Sequence, residues 1–130
     1  MSREDIYKEI EETLGGVGGF FDKMDDAMLE GVWETTKKTF LSDMSVGLKV
    51  NALIALGAAY GLGCQYWIEF HTQTARLAGA TEENIEDARK LAELSAGYAK
   101  FLKEIDYDLD KWKEWATATH KFLASKMSGW

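Results

Sequence analysis

The strongest constraint on the fold is the apolar segment VGLKVNALIALGAAYGLG, which spans residues 46–63. After Asn51 the segment has almost no polar side chain on any face of a helix. A helix that is apolar all round is enclosed by neighbours on every side, and a chain of 130 residues has few other elements to supply them. We therefore predict a buried helix that ends near Leu62 and takes some of its neighbours from other subunits.

The rest of the chain is divided by glycines and helix-capping residues, and it contains no proline. Ser2, Ser45 and Thr81 stand where helix N-caps are expected, and Gly15 and Gly79 stand where helices should end. No segment alternates at period two for long enough to form a strand. We predict a single all-α domain over residues 1–130, with about six helices. They are expected from Ser2 to Gly15, Asp25 to Phe40, Ser45 to Leu62, Cys64 to Leu77, Thr81 to Leu102 and Leu109 to Met127.

Charge and composition argue against several classes of partner. Lys and Arg number 15 against 22 Asp and Glu, so the formal charge is −7 and a polyanion would be repelled. The N-terminal segment MSREDIYKEIEE is acidic and does not resemble a secretory signal. A single cysteine cannot form an intramolecular disulfide and fits a reducing compartment. We expect a cytoplasmic protein that binds neither nucleic acid nor membrane.

The segment GLGCQYWIEFH, residues 61–71, contains the candidate chemical groups. Cys64 falls in the first turn of a predicted helix, where the helix dipole and unpaired backbone N–H groups favour the nucleophilic thiolate. His71 lies seven positions later, on the same face but roughly 10 Å away along the helix axis. A direct hydrogen bond between them is not expected, whereas a relay through water, Tyr60 or Tyr66 could join them. Trp67 lies between them on that face.

Cys64 and His71 also have a plain structural explanation. Free cysteine is among the most buried residue types, and a histidine on a mostly apolar helix is more often a core residue than a catalyst. The sequence contains no Cys-x-x-Cys, His-x-x-x-His or Glu-x-x-His pattern. We therefore predict no metal site and no bound cofactor.

Residues 48–88 resemble the core of the carboxymuconolactone decarboxylase family and its AhpD-like alkylhydroperoxidase branch. That core has a Lys-x-x-Glu-Leu-Ile-Ala-Leu segment and an apolar helix, then Gly-Cys-x-Tyr-Cys-x-x-x-His, then Gly-Ala-Thr-x-Glu-Glu-Ile. The matching pieces here are Leu53-Ile54-Ala55-Leu56, Gly63-Cys64, Tyr66, His71, Ala75, and Gly79-Ala80-Thr81 with Glu83. The resemblance implies an all-helical domain that assembles with copies of itself, as a homotrimer or homohexamer.

The resemblance carries over to individual residues only in part. AhpD-like peroxidases use both cysteines of a Cys-x-x-Cys, a histidine four positions later and a relay glutamate on the preceding helix. Cys64 matches the first cysteine and His71 the histidine, but Trp67 stands at the second cysteine and Ala52 at the glutamate. The resemblance thus implies an antioxidant, thiol-dependent peroxidase in which Cys64 is redox-active and His71 tunes or protonates it. Its sulfenic acid would need an external thiol or another chain for reduction.

A catalytically reduced relative is the first alternative function. Such a protein would be an oligomer that binds a small apolar ligand. The pocket would be lined by Tyr60, Tyr66, Trp67 and Phe70. Replacement of a thiol by Trp67 fits this alternative, because it exchanges a reactive group for packing.

A lyase of the carboxymuconolactone decarboxylase type is the second alternative. It would use His71 as an acid or base and would need cationic groups to stabilise an enolate-like intermediate. Arg76 is the one arginine near the motif, and its neighbour Leu77 suggests the exterior of a helix. The lyase is therefore less favoured than the other two functions.

Overall fold

A computed structural model describes residues 1–39, 41–42 and 44–127, and the regular structure within these ranges is entirely helical. A 3-10 turn, Gly19–Lys23, precedes the second helix. The described residues form six α-helices: α1 (Arg3–Leu14), α2 (Asp26–Lys38), α3 (Gly47–Leu62), α4 (Gln65–Leu77), α5 (Glu82–Glu104) and α6 (Leu109–Lys126). The predicted all-α class with about six helices is confirmed. The expected end of the second helix, Phe40, lies outside the described residues.

Most helix starts follow the capping chemistry expected from the sequence. Ser2 Oγ accepts a hydrogen bond from the Asp5 N–H at 3.1 Å. Thr81 and Asn84 form a reciprocal capping box, with hydrogen bonds of 3.0 and 3.1 Å between each side chain and the other residue's N–H. The two caps hold the starts of α1 and α5 where the sequence predicts them.

The predicted cap at Ser45 is wrong. The N-cap of α3 is Val46, which makes no side-chain capping hydrogen bond within the described chain. A turn precedes the helix, in which the Gly47 N–H donates to the Met44 carbonyl at 2.8 Å and Gly47 adopts a φ of +79°. Because Gly47 absorbs the change of direction, α3 begins after this turn rather than directly behind Ser45.

Two hydrophobic clusters pack the helices α1 to α5 in two groups, and neither cluster includes a described residue of α6. The first joins α1, the 3-10 turn and α2, and consists of Ile6, Ile10, Phe21, Leu29 and Trp33. The second joins α3, α4 and α5, and consists of Ala52, Leu56, Ala75 and Ile85. Since the spacing of packed helices depends on the side chains between them, the alanines of the second cluster allow α3, α4 and α5 to approach closely.

A polar contact anchors α1 to α2 beside the first cluster. Glu9 Oε2 accepts a hydrogen bond from Trp33 Nε1 at 2.8 Å and pairs with Lys37 Nζ at 3.0 Å. Trp33 is almost fully buried, and a buried indole N–H without a partner would destabilise the fold. These two hydrogen bonds lower the pKa of the Glu9 carboxyl, because both favour its charged form.

Much apolar surface remains exposed in the single chain. The helix α3 packs against α4 and α5, yet Ile54 and Leu62 on it are 60% and 80% exposed. The other helices of the single chain therefore cover α3 only in part, whereas the sequence predicts neighbours on every side of it. The helix α6 contributes no fully buried residue to the described structure. None of the helices in the described ranges has the length and hydrophobicity that crossing a membrane requires.

Thr81→Ala should lower the free energy of unfolding by about 1 kcal/mol, because it removes the hydroxyl that caps α5. Ser45→Ala is the matched control and should change this free energy by less than about 0.5 kcal/mol, since Ser45 is exposed and does not cap α3. Urea denaturation followed by circular dichroism measures both values. Equal losses in the two variants would contradict the caps seen in the structure.

Candidate functional site

The junction between α3 and α4 sets the position of Cys64. Gly63 adopts a left-handed φ of +64°, and its N–H donates to the Tyr60 carbonyl at 3.1 Å. The Cys64 N–H donates to the Ala59 carbonyl, also at 3.1 Å. These two hydrogen bonds form a Schellman motif, in which a left-handed glycine ends a helix. Cys64 therefore completes the cap of α3 and is at the same time the N-cap residue of α4.

Cys64 lies at the N-cap of α4. The residue is half-buried, and its side chain makes no capping hydrogen bond within the described chain. Its carbonyl accepts a hydrogen bond from the Ile68 N–H at 2.9 Å, which closes the first turn of α4. The N-terminus of a helix carries partial positive charge, and this charge stabilises an anion placed there. The structure thus places Cys64 at the helix start that the sequence predicts.

His71 lies on the inner face of α4 and is fully buried. The Trp67 indole stands edge-on to the imidazole, with 4.3 Å between ring centroids, and the Phe70 ring stands edge-on at 5.1 Å. Trp67 and Phe70 are themselves stacked, with centroids 5.4 Å apart. Burial lowers the pKa of His71, because the charged imidazolium loses its water. The imidazole is therefore neutral near pH 7.

The four aromatic residues expected to line a ligand pocket lie in different environments. Trp67 and Phe70 are stacked and partly exposed, whereas Tyr66 is 90% exposed. Tyr60 is half-buried and packs against the second cluster. Their role in ligand binding stays a prediction.

An apolar groove with a volume of about 890 Å³ lies between α3 and α5. Its lining includes Leu53, Ile54, Gly57, Ala88, Leu91 and Ala92. None of the four aromatic residues belongs to this lining. In the sequence, the groove is indicated by the apolar character of α3 and by the alanines of α5. These residues do not determine which face of α3 lies against which face of α5.

Two positions that the family pattern assigns to reactive groups are occupied by packing residues. Ala52 is 2% exposed and belongs to the second cluster, so no carboxylate stands at that point of α3. Trp67 contributes its indole to the contact with His71. Both observations agree with the sequence, in which a relay glutamate and a second cysteine are missing.

Arg76 is engaged by a carboxylate on the next helix. Its Nε and Nη2 donate to the two oxygens of Glu82 at 2.7 and 3.1 Å, and both side chains are exposed. A bidentate pair of this kind uses the fork geometry of the guanidinium. The pairing could not be read from the motif, because Glu82 also fits an ordinary role in the first turn of α5. No group of three or more potential metal ligands occurs among the described residues.

Comparisons with known proteins agree with this geometry. The carboxymuconolactone decarboxylase family matches residues 26–105, a span that runs from the start of α2 past the end of α5 and includes the α3–α4 junction. The crystal structure of the alkylhydroperoxidase AhpD core from Rhodospirillum rubrum has a similar fold. That match has a TM-score of 0.66 and 20% identity, and it covers 81% of this chain and 80% of that chain. No curated protein sequence matches the chain.

Gly63→Ala should destabilise the protein by roughly 1–2 kcal/mol, because the left-handed φ is strained for a residue with a Cβ. Gly61→Ala is the control inside α3 and should be neutral or stabilising by up to about 1 kcal/mol. A Cβ at either position meets no atom within 4 Å, so the comparison isolates the backbone conformation. Urea denaturation measures both changes, and equal tolerance at the two positions would be incompatible with the capping motif.

The buried imidazole should make stability depend on pH. Because the pKa of His71 is lowered on folding, the unfolded chain binds the proton first as the pH falls below about 6.5. Stability should then fall with pH by up to about 1.4 kcal/mol per pH unit between pH 6.5 and the lower folded pKa. Thermal unfolding between about pH 7.5 and 5.5 should show this slope in the wild type and a shallower slope in His71→Gln. His120→Gln is the control at an exposed histidine, and a wild-type slope in His71→Gln would refute the assignment.

Proposed function

The chain belongs to the carboxymuconolactone decarboxylase family, and on that premise we propose that it is an AhpD-like, thiol-dependent oxidoreductase that reduces peroxides through Cys64. The observation that carries the proposal is the placement of Cys64. It is half-buried at the N-cap of α4, and the buried His71 follows two turns later on the same helix. A thiol that is partly sheltered and close to positive helix-end charge has the two properties that a redox cysteine needs.

The proposed reaction begins at the sulfur. The Cys64 thiolate attacks one oxygen of the peroxide, so that an S–O bond forms and the O–O bond breaks. The departing alkoxide or hydroxide takes a proton, and Cys64 is left as a sulfenic acid. An external thiol then condenses with the sulfenic acid to a mixed disulfide and releases water. A second thiol frees the Cys64 thiol, so that two external thiols supply the two electrons.

The start of α4, His71 and Trp67 have different roles in the proposed reaction. The start of α4 favours the thiolate through its dipole and backbone N–H groups. Because burial lowers the pKa of His71, the imidazole is neutral and stabilises no thiolate as an ion pair. Its proposed role is to accept the proton of the Cys64 thiol through a relay and to return that proton to the leaving oxygen, since it lies about two turns from the sulfur. As Trp67 replaces the second cysteine, the reductant in this proposal is an external thiol.

A second candidate function is the binding of a small apolar ligand without catalysis. The observation that favours it is the packing of Trp67 against Phe70 and His71. Stacked and edge-on aromatic rings present flat apolar surface to a ligand. Ala52 supports the same candidate, because a core alanine occupies the position of an acidic relay residue.

The lyase function has less support than either candidate. Decarboxylation of a carboxylate-rich lactone needs cationic groups close to the acid or base. Arg76 is occupied by both oxygens of Glu82 on the exposed side of α4. Both side chains of this pair are exposed to solvent, whereas His71 is buried.

Peroxide turnover with an excess of a small thiol tests the proposal. The wild type should consume peroxide, and brief exposure followed by a sulfenic acid trap should add one adduct to the intact mass. Cys64→Ser should lose both signals. A thiol placed in the middle of α4 by Gln73→Cys in the Cys64→Ser background is the matched control. It should react about tenfold more slowly, because the helix start contributes up to about 2 kcal/mol to an anion.

Equal peroxide consumption by the wild type and Cys64→Ser would overturn the proposal. An inert Cys64 thiol, together with ligand-dependent quenching of tryptophan fluorescence that survives in Cys64→Ser but not in Trp67→Phe, would favour the second candidate.

A further inference from the structure

Five large apolar residues on α5 and at its C-cap recur at alternating spacings of three and four positions. We call this stripe the α5 seam, and it consists of Leu91, Leu94, Tyr98, Phe101 and Ile105. Its members are between 49% and 64% exposed, and none belongs to either hydrophobic cluster. Alternation of three and four is the pattern of a and d positions in a coiled coil. The seam therefore has the form of a helix-pairing surface that the single chain leaves bare.

We propose that the α5 seam binds the same seam of a second copy, antiparallel across a two-fold axis. With Leu91 and Tyr98 at a positions and Leu94 and Phe101 at d positions, the layers of an antiparallel pair place each a residue against a d residue. Leu91 then faces Phe101 of the partner subunit. Tyr98 faces Leu94 of the partner subunit. The two-fold axis repeats every layer, so one surface is complementary to itself.

The charged residues that flank the seam fit this antiparallel register. Lys90, Gly97 and Glu104 occupy the g positions, which face one another in an antiparallel pair. Lys90 then lies opposite Glu104 of the partner subunit, and the two-fold axis creates the pair twice. Within its own chain, Glu104 makes only a long, exposed pair with Lys100, at 3.9 Å among the described residues. Opposite charges at such flanking positions set the partner and the orientation of paired helices.

Small residues meet at the centre of the same register. Gly97 faces Gly97 of the partner subunit on one side of the seam. On the other side, the e position Ser95 faces Ser95 of the partner subunit. Neither pair brings like charges or bulky side chains together at the axis, so the helices can approach closely there.

A parallel pair does not use these charges. In that arrangement each g position faces an e position of the other helix. Lys90 would face Ser95 of the partner subunit, and Gly97 would face Leu102 of the partner subunit. No opposite charges would meet, and the charge pattern therefore selects the antiparallel orientation.

A second copy also fits better than a lipid surface. The chain carries a formal charge of −7, so an anionic membrane repels it. The two ends of the seam carry opposite charges, at Lys90 and Glu104, and these charges complement each other in an antiparallel pair. The four hydrophobic layers, from Leu91 to Phe101, extend over about 15 Å of α5. Ile105 lies beyond them, opposite Asp87 of the partner subunit. A two-fold contact of this kind is closed, so each seam is covered by one partner copy. This inference does not depend on the proposed peroxidase activity.

Charge reversal in the full-length protein tests the pairing. Lys90→Glu and Glu104→Lys each place two like-charged pairs across the axis and should raise the dissociation constant of the two-fold contact at least about tenfold. The double variant Lys90→Glu/Glu104→Lys restores both pairs and should recover the wild-type assembly. Lys103→Glu is the control, because it makes the same charge change on the opposite side of α5. Sedimentation velocity over a range of concentrations measures the mass of the assembly. In each single-reversal variant this mass should fall toward half of the wild-type value.

Cysteine cross-linking tests the register in a Cys64→Ser background. Gly97→Cys should be joined into dimers by a short bis-maleimide, since both copies of residue 97 lie at the axis and a Cβ there meets no atom within 4 Å. Lys90→Cys should not cross-link to itself, because the two copies of residue 90 lie roughly 21 Å apart along the axis.

Three results would overturn the inference. The first is a monomer at every concentration. The second is an assembly that the single reversals leave intact or that the double variant fails to restore. The third is cross-linking of Lys90→Cys in preference to Gly97→Cys.

Discussion

Two hydrogen bonds, from the N–H groups of Gly63 and Cys64 to the carbonyls of Tyr60 and Ala59, turn the chain from α3 into α4. A connection this short returns α4 along α3, where Ala75 meets Ala52 and its neighbours in the second cluster. The start of α4 is therefore fixed by the end of α3. The position of the sulfur follows from this backbone turn and not from any hydrogen bond of the thiol itself.

The electrostatics of the site result from two opposed effects on one helix. The N-terminus of α4 carries partial positive charge, and Cys64 lies there, while burial lowers the pKa of His71. In the proposed reaction a neutral imidazole forms no ion pair with the sulfur, so the stabilisation of a thiolate is assigned to the backbone N–H groups of the first turn of α4. This separates the candidate site from cysteine enzymes in which an imidazolium supports the thiolate.

Many of the apolar residues of the single chain are exposed to solvent. With 46% hydrophobic residues, it keeps two small clusters inside and leaves the α5 seam and much of α3 and α6 exposed. A small domain gains stability from association, because pairing of subunits buries surface that a short chain cannot cover alone. The helix α3 takes part both in the junction beside Cys64 and in the groove that it forms with α5.

The sequence alone determined the features that depend on local geometry. Ser2 and Thr81 were recognisable as caps because a side-chain oxygen binds an N–H three residues later, and Gly15 and Gly79 were recognisable as helix ends because a left-handed φ favours glycine. The spacing of Cys64 and His71 placed both on one face of α4 by helix periodicity. Ser45 was misassigned because the turn at Gly47 delays α3, and residues near a helix start compete for the N-cap within one or two positions.

Tertiary structure alone decided which faces are covered. His71 is fully buried while Tyr66 on the same helix is 90% exposed, and no pattern within α4 ranks the two, because their burial depends on where α3 and the neighbouring rings lie. The pairing of Arg76 with Glu82 likewise depends on the turn that brings α4 and α5 together. Helix periodicity specifies which residues share a face. Contacts between residues distant in the chain determine whether that face meets protein or water.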